Sequence, residues 1–289
     1  MSLTGYTVSS PELERWLARH IAQGFGLEAL VQSMVHSGYN AAFARNAVSA
    51  AFGERPVPAD AADAPAPAAT AAPAAALGRN AVRHAGREIP VLFSLEAPRV
   101  VLFQQLLTDE ECDALVALSR DRLVRSPVVN PDTGDENLID ARTSMGAMFQ
   151  VAEHPLIDRI EARIAAVTGV PAVHGEGLQI LNYKPGGEYQ PHYDYFHPQR
   201  PGEARQLAVG GQRIATLVIY LNSVPAGGAT AFPRLGLQVA PVKGNAVYFC
   251  YRLQDGRLDD RTLHAGLPVT AGEKWIATKW LRERPYRVG

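Results

Sequence analysis

Cysteine is scarce: the 289 residues contain two, Cys112 and Cys250. A disulfide framework is therefore excluded as the source of stability. Both positions sit in apolar patterns, which predicts buried thiols and a reducing cytoplasm. No apolar run approaches the ~20 residues that a membrane span needs. Residues Met1 to Pro11 lack the basic start and apolar stretch of a signal peptide. Neither sign of charge dominates, since 28 basic residues face 29 acidic ones. No broad basic field draws such a chain to nucleic acid. The hydrophobic fraction, 47%, is ordinary for a globular protein and sufficient for a sizeable core.

Composition divides the chain into three. Residues 56–79 are rich in Ala and Pro. Proline removes backbone donors and alanine buries little, so this stretch reads as a linker. Residues 1–55 before it read as a small helical module. Ser9 and Ser10 precede Pro11, a good first helical residue. Leu27, Leu30, Val31 and Met34 share one helical face, Gly38 supplies a stop, and Asn40 caps a third helix. The module faintly resembles a ubiquitin-associated-like bundle and is a candidate docking element for a protein partner.

Residues 80–289 read as strand-rich with flanking helices. Thr108 and Glu111 form a capping box for one helix. His154-Pro155 opens a second, closed by Gly169. Extended runs then follow at 177–183, 190–193, 215–221, 245–249 and 274–281, separated by Gly- and Pro-rich turns. Such a succession implies a sandwich or barrel.

Within these runs lies His192-Tyr193-Asp194, with His264 far downstream and Lys274 ten residues later. Two imidazoles and a carboxylate are the ligand set of a facial-triad Fe(II) site, with half the coordination sphere left open. Side chains at i and i+2 leave one face of a strand, so His192 and Asp194 can reach one metal together. Lys274 would place a cation deeper in the same cavity, suited to the far carboxylate of a dicarboxylic acid. The other histidines (His20, His36, His84, His154, His174 and His197) lack such partner spacing and read as structural or exposed.

The segment NYKPGGEYQPHYDYF at 182–196 resembles the iron-binding strand of the prolyl 4-hydroxylase family of 2-oxoglutarate/Fe(II) dioxygenases. RIATLVIYLN at 213–222 with GGATAFP at 227–233, then HAG at 264–266 with KWIATKW at 274–280, are similar to its later signatures. The resemblance implies a double-stranded β-helix, or jelly roll, with a small N-terminal helical module. It implies Fe(II) on His192, Asp194 and His264, and no catalytic residue beyond that centre. The co-substrate 2-oxoglutarate would be held by Lys274, Tyr183, Thr216 and Trp280, with ascorbate as reductant. The substrate would be contacted by Arg142, Ser144, Tyr193 and Arg282, behind a closing loop at 128–140. Arg282 departs from the family pattern, which has His two residues after the tryptophan.

The implied activity is hydroxylation of a prolyl residue in a peptide or protein, giving succinate and CO2. Asp194 separates the chain from related halogenases, which have Ala or Gly there. Hydroxylation of a free amino acid or another small molecule is the alternative within the same chemistry. Nucleic-acid dealkylating relatives usually hold the co-substrate with arginine beside a basic groove, against which Lys274 and the balanced charge speak. A non-enzymatic metal-binding scaffold would be marked by a lost ligand, and none is lost.

Overall fold

The computed structural model describes residues 11–22, 25–36, 39–53, 79–129, 135–137, 140–197, 200–253 and 255–286. The chain divides into two compact units between Ala68 and Ala69. The expected linker lies outside the described residues except for Arg79, as do Ser9, Ser10 and Gly38.

The first unit holds helices α1 (Pro11–Ala22), α2 (Leu27–His36) and α3 (Ala41–Phe52). Asn40 caps α3 by accepting from the Ala42 and Phe43 amides. Leu13, Leu17, Leu30, Val31, Met34, Ala44 and Val48 form the unit's own core. His20 is buried there with its Nδ1 2.7 Å from the Trp16 carbonyl, which must accept from it.

The second unit carries helices α4 (Asp109–Ser119), α5 (Pro155–Thr168) and α6 (Ala204–Ala208). Its strands, in chain order, are β1 (Ala81–His84), β2 (Arg87–Leu95), β3 (Arg99–Phe103), β4 (Val124–Arg125), β5 (Val128–Val129) and β6 (Glu136–Asn137). They continue as β7 (Met145–Phe149), β8 (Leu178–Tyr183), β9 (Tyr189–His192), β10 (Arg213–Tyr220), β11 (Ala226–Gly227) and β12 (Thr230–Phe232). The last five are β13 (Leu237–Val239), β14 (Ala246–Cys250), β15 (His264–Gly266), β16 (Val269–Ala271) and β17 (Lys274–Arg282).

The nine-stranded sheet runs β1-β2-β3-β14-β10-β17-β8-β7-β4, and a four-stranded sheet runs β13-β12-β15-β9. Val218 of β10, Ile276 of β17, Phe232 of β12 and Val239 of β13 share one core cluster, so the two sheets pack face to face as a jelly roll.

Helices α4 and α5 cover the opposite face of the large sheet. Thr108 and Glu111 complete the expected capping box on α4. His154 Nδ1 accepts from the Leu156 amide, so this histidine caps α5, and Gly169 ends it at φ 71°. Ile157, Ile160, Ile164 and Val167 of α5 pack with Leu178, Ile180, Leu217 and Ile219 of the sheet. Burying each such side chain contributes about 1.5–3 kcal/mol.

Strand β17 is covered on both sides, and all nine residues are buried. The expected loop at 128–140 contains a short β5–β6 pairing, Val128 opposite Asn137. Its residues 130–134 and 138–139 lie outside the described residues.

A chain beginning at Arg79 is expected to fold alone and to melt cooperatively by circular dichroism. Loss of ordered signal on that truncation would make the helical unit part of the same core.

Candidate metal centre and co-substrate cleft

His192 ends β9 and His264 begins β15, and the antiparallel register sets them directly opposite each other. Their ring centroids are 4.3 Å apart. Asp194 lies in the bend just beyond β9, so strand alternation does not carry it to the site as expected. Two tethers from β10 do. Thr216 Oγ1 donates to Asp194 Oδ2 at 2.6 Å, and Arg213 Nη1 donates to the Asp194 carbonyl at 3.1 Å.

His192 Nε2 is 3.6 Å from Asp194 Oδ1, and His264 Nε2 is 3.4 Å from Asp194 Oδ2. Ligands at right angles about 2.1 Å from a common ion stand about 3 Å apart, so these gaps fit one divalent ion.

The hydrogen bonds also fix the tautomers. His192 Nδ1 lies 2.8 Å from the Gln190 carbonyl, and His264 Nδ1 lies 3.1 Å from the Thr262 carbonyl. A carbonyl can only accept, so each Nδ1 carries a proton, and Nε2 is the ring atom left to meet a metal. Burial, and then His264, lower the His192 pKa below its usual value. Burial opposes ionisation of Asp194, but His264 and His192 hold it well below the usual carboxylate range. Neutral imidazoles and an anionic carboxylate are the forms that bind metal.

The triad opens into a cleft. Lys274, Ile276, Thr278 and Trp280 line one wall, the alternate residues of β17. Leu181 and Tyr183 of β8 and Val218 of β10 continue it. Lys274 pairs with Tyr183 in the sheet register, and its ammonium is 5.5 Å from that ring's centroid. Its side chain is 3% exposed, with no acidic partner among the described residues. Burial alone pushes its pKa down to about 8. A buried cation without a counter-charge, beside a metal site, fits the far carboxylate of 2-oxoglutarate.

The other expected contacts divide. Tyr183, Trp280 and Arg142 line the cleft. Thr216 does not: its hydroxyl is used on Asp194, so it orients the ligand rather than the co-substrate. Ser144 sits fully buried behind Arg142, whose Nε donates to its Oγ at 3.2 Å. Tyr193 is not among the cleft-lining residues; its ring stacks on Tyr195 at 4.7 Å. Arg282 is buried against Glu176, Nε to Oε1 2.6 Å, and is not a cleft residue.

The sequence reading missed Tyr189, stacked on His192 with centroids 3.5 Å apart and lying under Arg142 at 5.0 Å. It also missed Thr278. Counting by twos from Lys274 along β17 would have found that residue.

Lys274 sets a pH dependence. In the free protein the cost of burying this cation is present in full below about pH 8 and relieved as pH rises towards 10.5. A bound carboxylate restores the charged form. Affinity for 2-oxoglutarate should therefore be level below about pH 8 and fall above it. Calorimetry at about pH 9, in buffers of different ionisation enthalpy, should show proton uptake on binding. Lys274→Ala should abolish that uptake and weaken binding by about one and a half to three and a half decades, for a loss of about 2–5 kcal/mol. Unchanged affinity would refute the assignment.

Residues 178–282 match the 2OG-Fe(II) oxygenase superfamily. The chain is 39% identical over 189 residues to prolyl 4-hydroxylase subunit alpha-1 of Homo sapiens, covering 65% of this chain and 35% of that one. It thus spans about a third of the length of that relative. Against probable prolyl 4-hydroxylase 3 of Arabidopsis thaliana it is 38% identical over 210 residues, covering 66% of this chain and 71% of that one. Among solved structures it is similar to the viral collagen prolyl hydroxylase of Paramecium Bursaria Chlorella virus-1 in its 2OG complex. That match has 31% identity and a TM-score of 0.50, and covers 63% of this chain and 95% of that one. With the triad and its neighbouring buried lysine in place, these matches mean that the chain belongs to the prolyl 4-hydroxylase family of 2-oxoglutarate/Fe(II) dioxygenases.

Proposed function

We propose that the chain hydroxylates a prolyl residue of a peptide or protein, consuming 2-oxoglutarate and O2 and releasing succinate and CO2. One observation carries this reading: the His192, Asp194 and His264 cluster and Lys274, which has no acidic partner among the described residues, open into the same cleft. The relatives named as prolyl 4-hydroxylases support the substrate class.

Fe(II), when bound, supplies O2 activation coupled to oxidative decarboxylation of 2-oxoglutarate. The chain supplies geometry. His192 and His264 hold Nε2 towards the metal because the Gln190 and Thr262 carbonyls hold their Nδ1 protons. Asp194 supplies the anionic ligand and is oriented by Thr216. Lys274, beside Tyr183, receives the distal carboxylate and so fixes the co-substrate's direction. Leu181, Val218 and Ile276 make that wall apolar, which would keep water from the reacting atoms. Arg142 and Tyr189 form a cationic and aromatic lining beside His192, a surface on which a proline ring and a peptide carbonyl can both be received.

Ascorbate completes the proposal as reductant, and the cytoplasm as compartment. Two buried thiols support a reducing environment, and burial pushes that of Cys112 up to about 12. The helical unit, with a core of its own, serves as a docking element for a protein partner.

Proline-containing peptides should stimulate succinate formation, while free L-proline at matched concentration does so weakly. Strong stimulation by free proline, with none from any peptide or protein fraction, would move the enzyme to the small-molecule class.

A further inference from the structure

We propose that Glu176 is a positioning residue for the metal centre, acting through Arg213 on Asp194; this rests on reading His192, Asp194 and His264 as the metal ligands. Asp194 needs such help because it lies beyond the end of β9, where no ladder hydrogen bonds fix it.

Arg213 reaches it from the first position of β10. Its Nε and Nη2 donate to Glu176 Oε1 and Oε2 at 2.6 and 2.9 Å, and its Nη1 donates to the Asp194 carbonyl at 3.1 Å. The guanidinium is planar, so a two-point grip on one edge sets the direction of the third nitrogen. The same guanidinium lies 4.1 Å from the ring centroid of Trp280, which lines the cleft.

Glu176 is itself held from several sides. Its carboxylate also accepts from Arg282 Nε at 2.6 Å, and its amide donates to the Trp280 carbonyl at 2.9 Å. Its carbonyl accepts from Lys279 Nζ, which pairs with Glu161 at 2.5 Å on the helix-covered side of the sheet. A side chain added at Gly175 would meet the end of the Lys279 side chain, so Lys279 would have to leave its place against Glu176 and Glu161 to make room for one.

Burial opposes ionisation of Glu176, but Arg213 and Arg282 keep it anionic. The carboxylate therefore lies between two guanidinium cations and offsets part of their charge as well as orienting Arg213. Without it, Arg213 loses its carboxylate partner while standing next to Asp194, the one carboxylate of the cluster among the described residues. It can then turn onto that ligand and compete with the ion.

The test uses Mn(II) as probe on the full chain under anaerobic conditions, with free Mn(II) read by electron paramagnetic resonance beside thermal melts. Glu176→Gln should raise the Mn(II) dissociation constant by about 10–100-fold and change the bound-metal spectrum. Arg213→Lys keeps the charge but cannot span both partners, so it should give a smaller rise in the same direction. It carries the test if Glu176→Gln fails to fold. Glu161→Gln, in the same buried file but beyond Lys279, should lower the melting temperature without moving Mn(II) affinity. A well-folded Glu176→Gln that binds Mn(II) as the parent does would overturn the proposal. So would a Glu161→Gln that weakens binding equally, because the effect would then be general stability. Failure of the parent to bind one Mn(II), or unaltered binding by Asp194→Ala, would instead overturn the triad reading and this inference with it.

Discussion

A cation taken out of water must find a counter-charge, and β17 buries three of them. Lys279 finds Glu161 and Arg282 finds Glu176, both within the protein. Lys274, on the inner face with Ile276 and Thr278, finds none among the described residues. The two sheets, the apolar walls and the helices behind them together hold this one strand dry on both faces. The first two cations are consumed by the fold, and the third is left to a ligand. That difference separates a structural charge from a functional one on a single strand.

The metal ligands are held by two different means. The histidines come from paired strands, so backbone register alone sets them opposite each other. The carboxylate comes from a bend and depends on side chains of β10 for its place. The imidazoles thus belong to the rigid sheet, while Asp194 can be loosened by changes that leave the sheet intact. Tyr189, packed on His192 beneath Arg142, joins the rim of the cleft to the same ligand set. A substrate that engages this rim therefore touches a side chain already in contact with a metal ligand.

Residue types and spacing alone made much of this legible. His192, Asp194, His264 and Lys274 were readable because metal chemistry and charge burial admit few residues in that order. The caps at Thr108, Asn40 and Gly169 were readable because unsatisfied helix ends demand particular side chains. Tertiary structure decided which neighbours of those residues face the cleft. Thr216 sits in a family-like block and Arg282 just beyond one, yet the first is spent on Asp194 and the second on Glu176. Tyr193 lies between two ligands in sequence, yet its ring stacks on Tyr195 and it does not line the cleft. Glu176 and Arg213 are 37 residues apart and meet only when β8 and β10 flank β17. A sequence records which side chains are available, but a hydrogen bond needs both partners at one place, and only the packed sheets set that place.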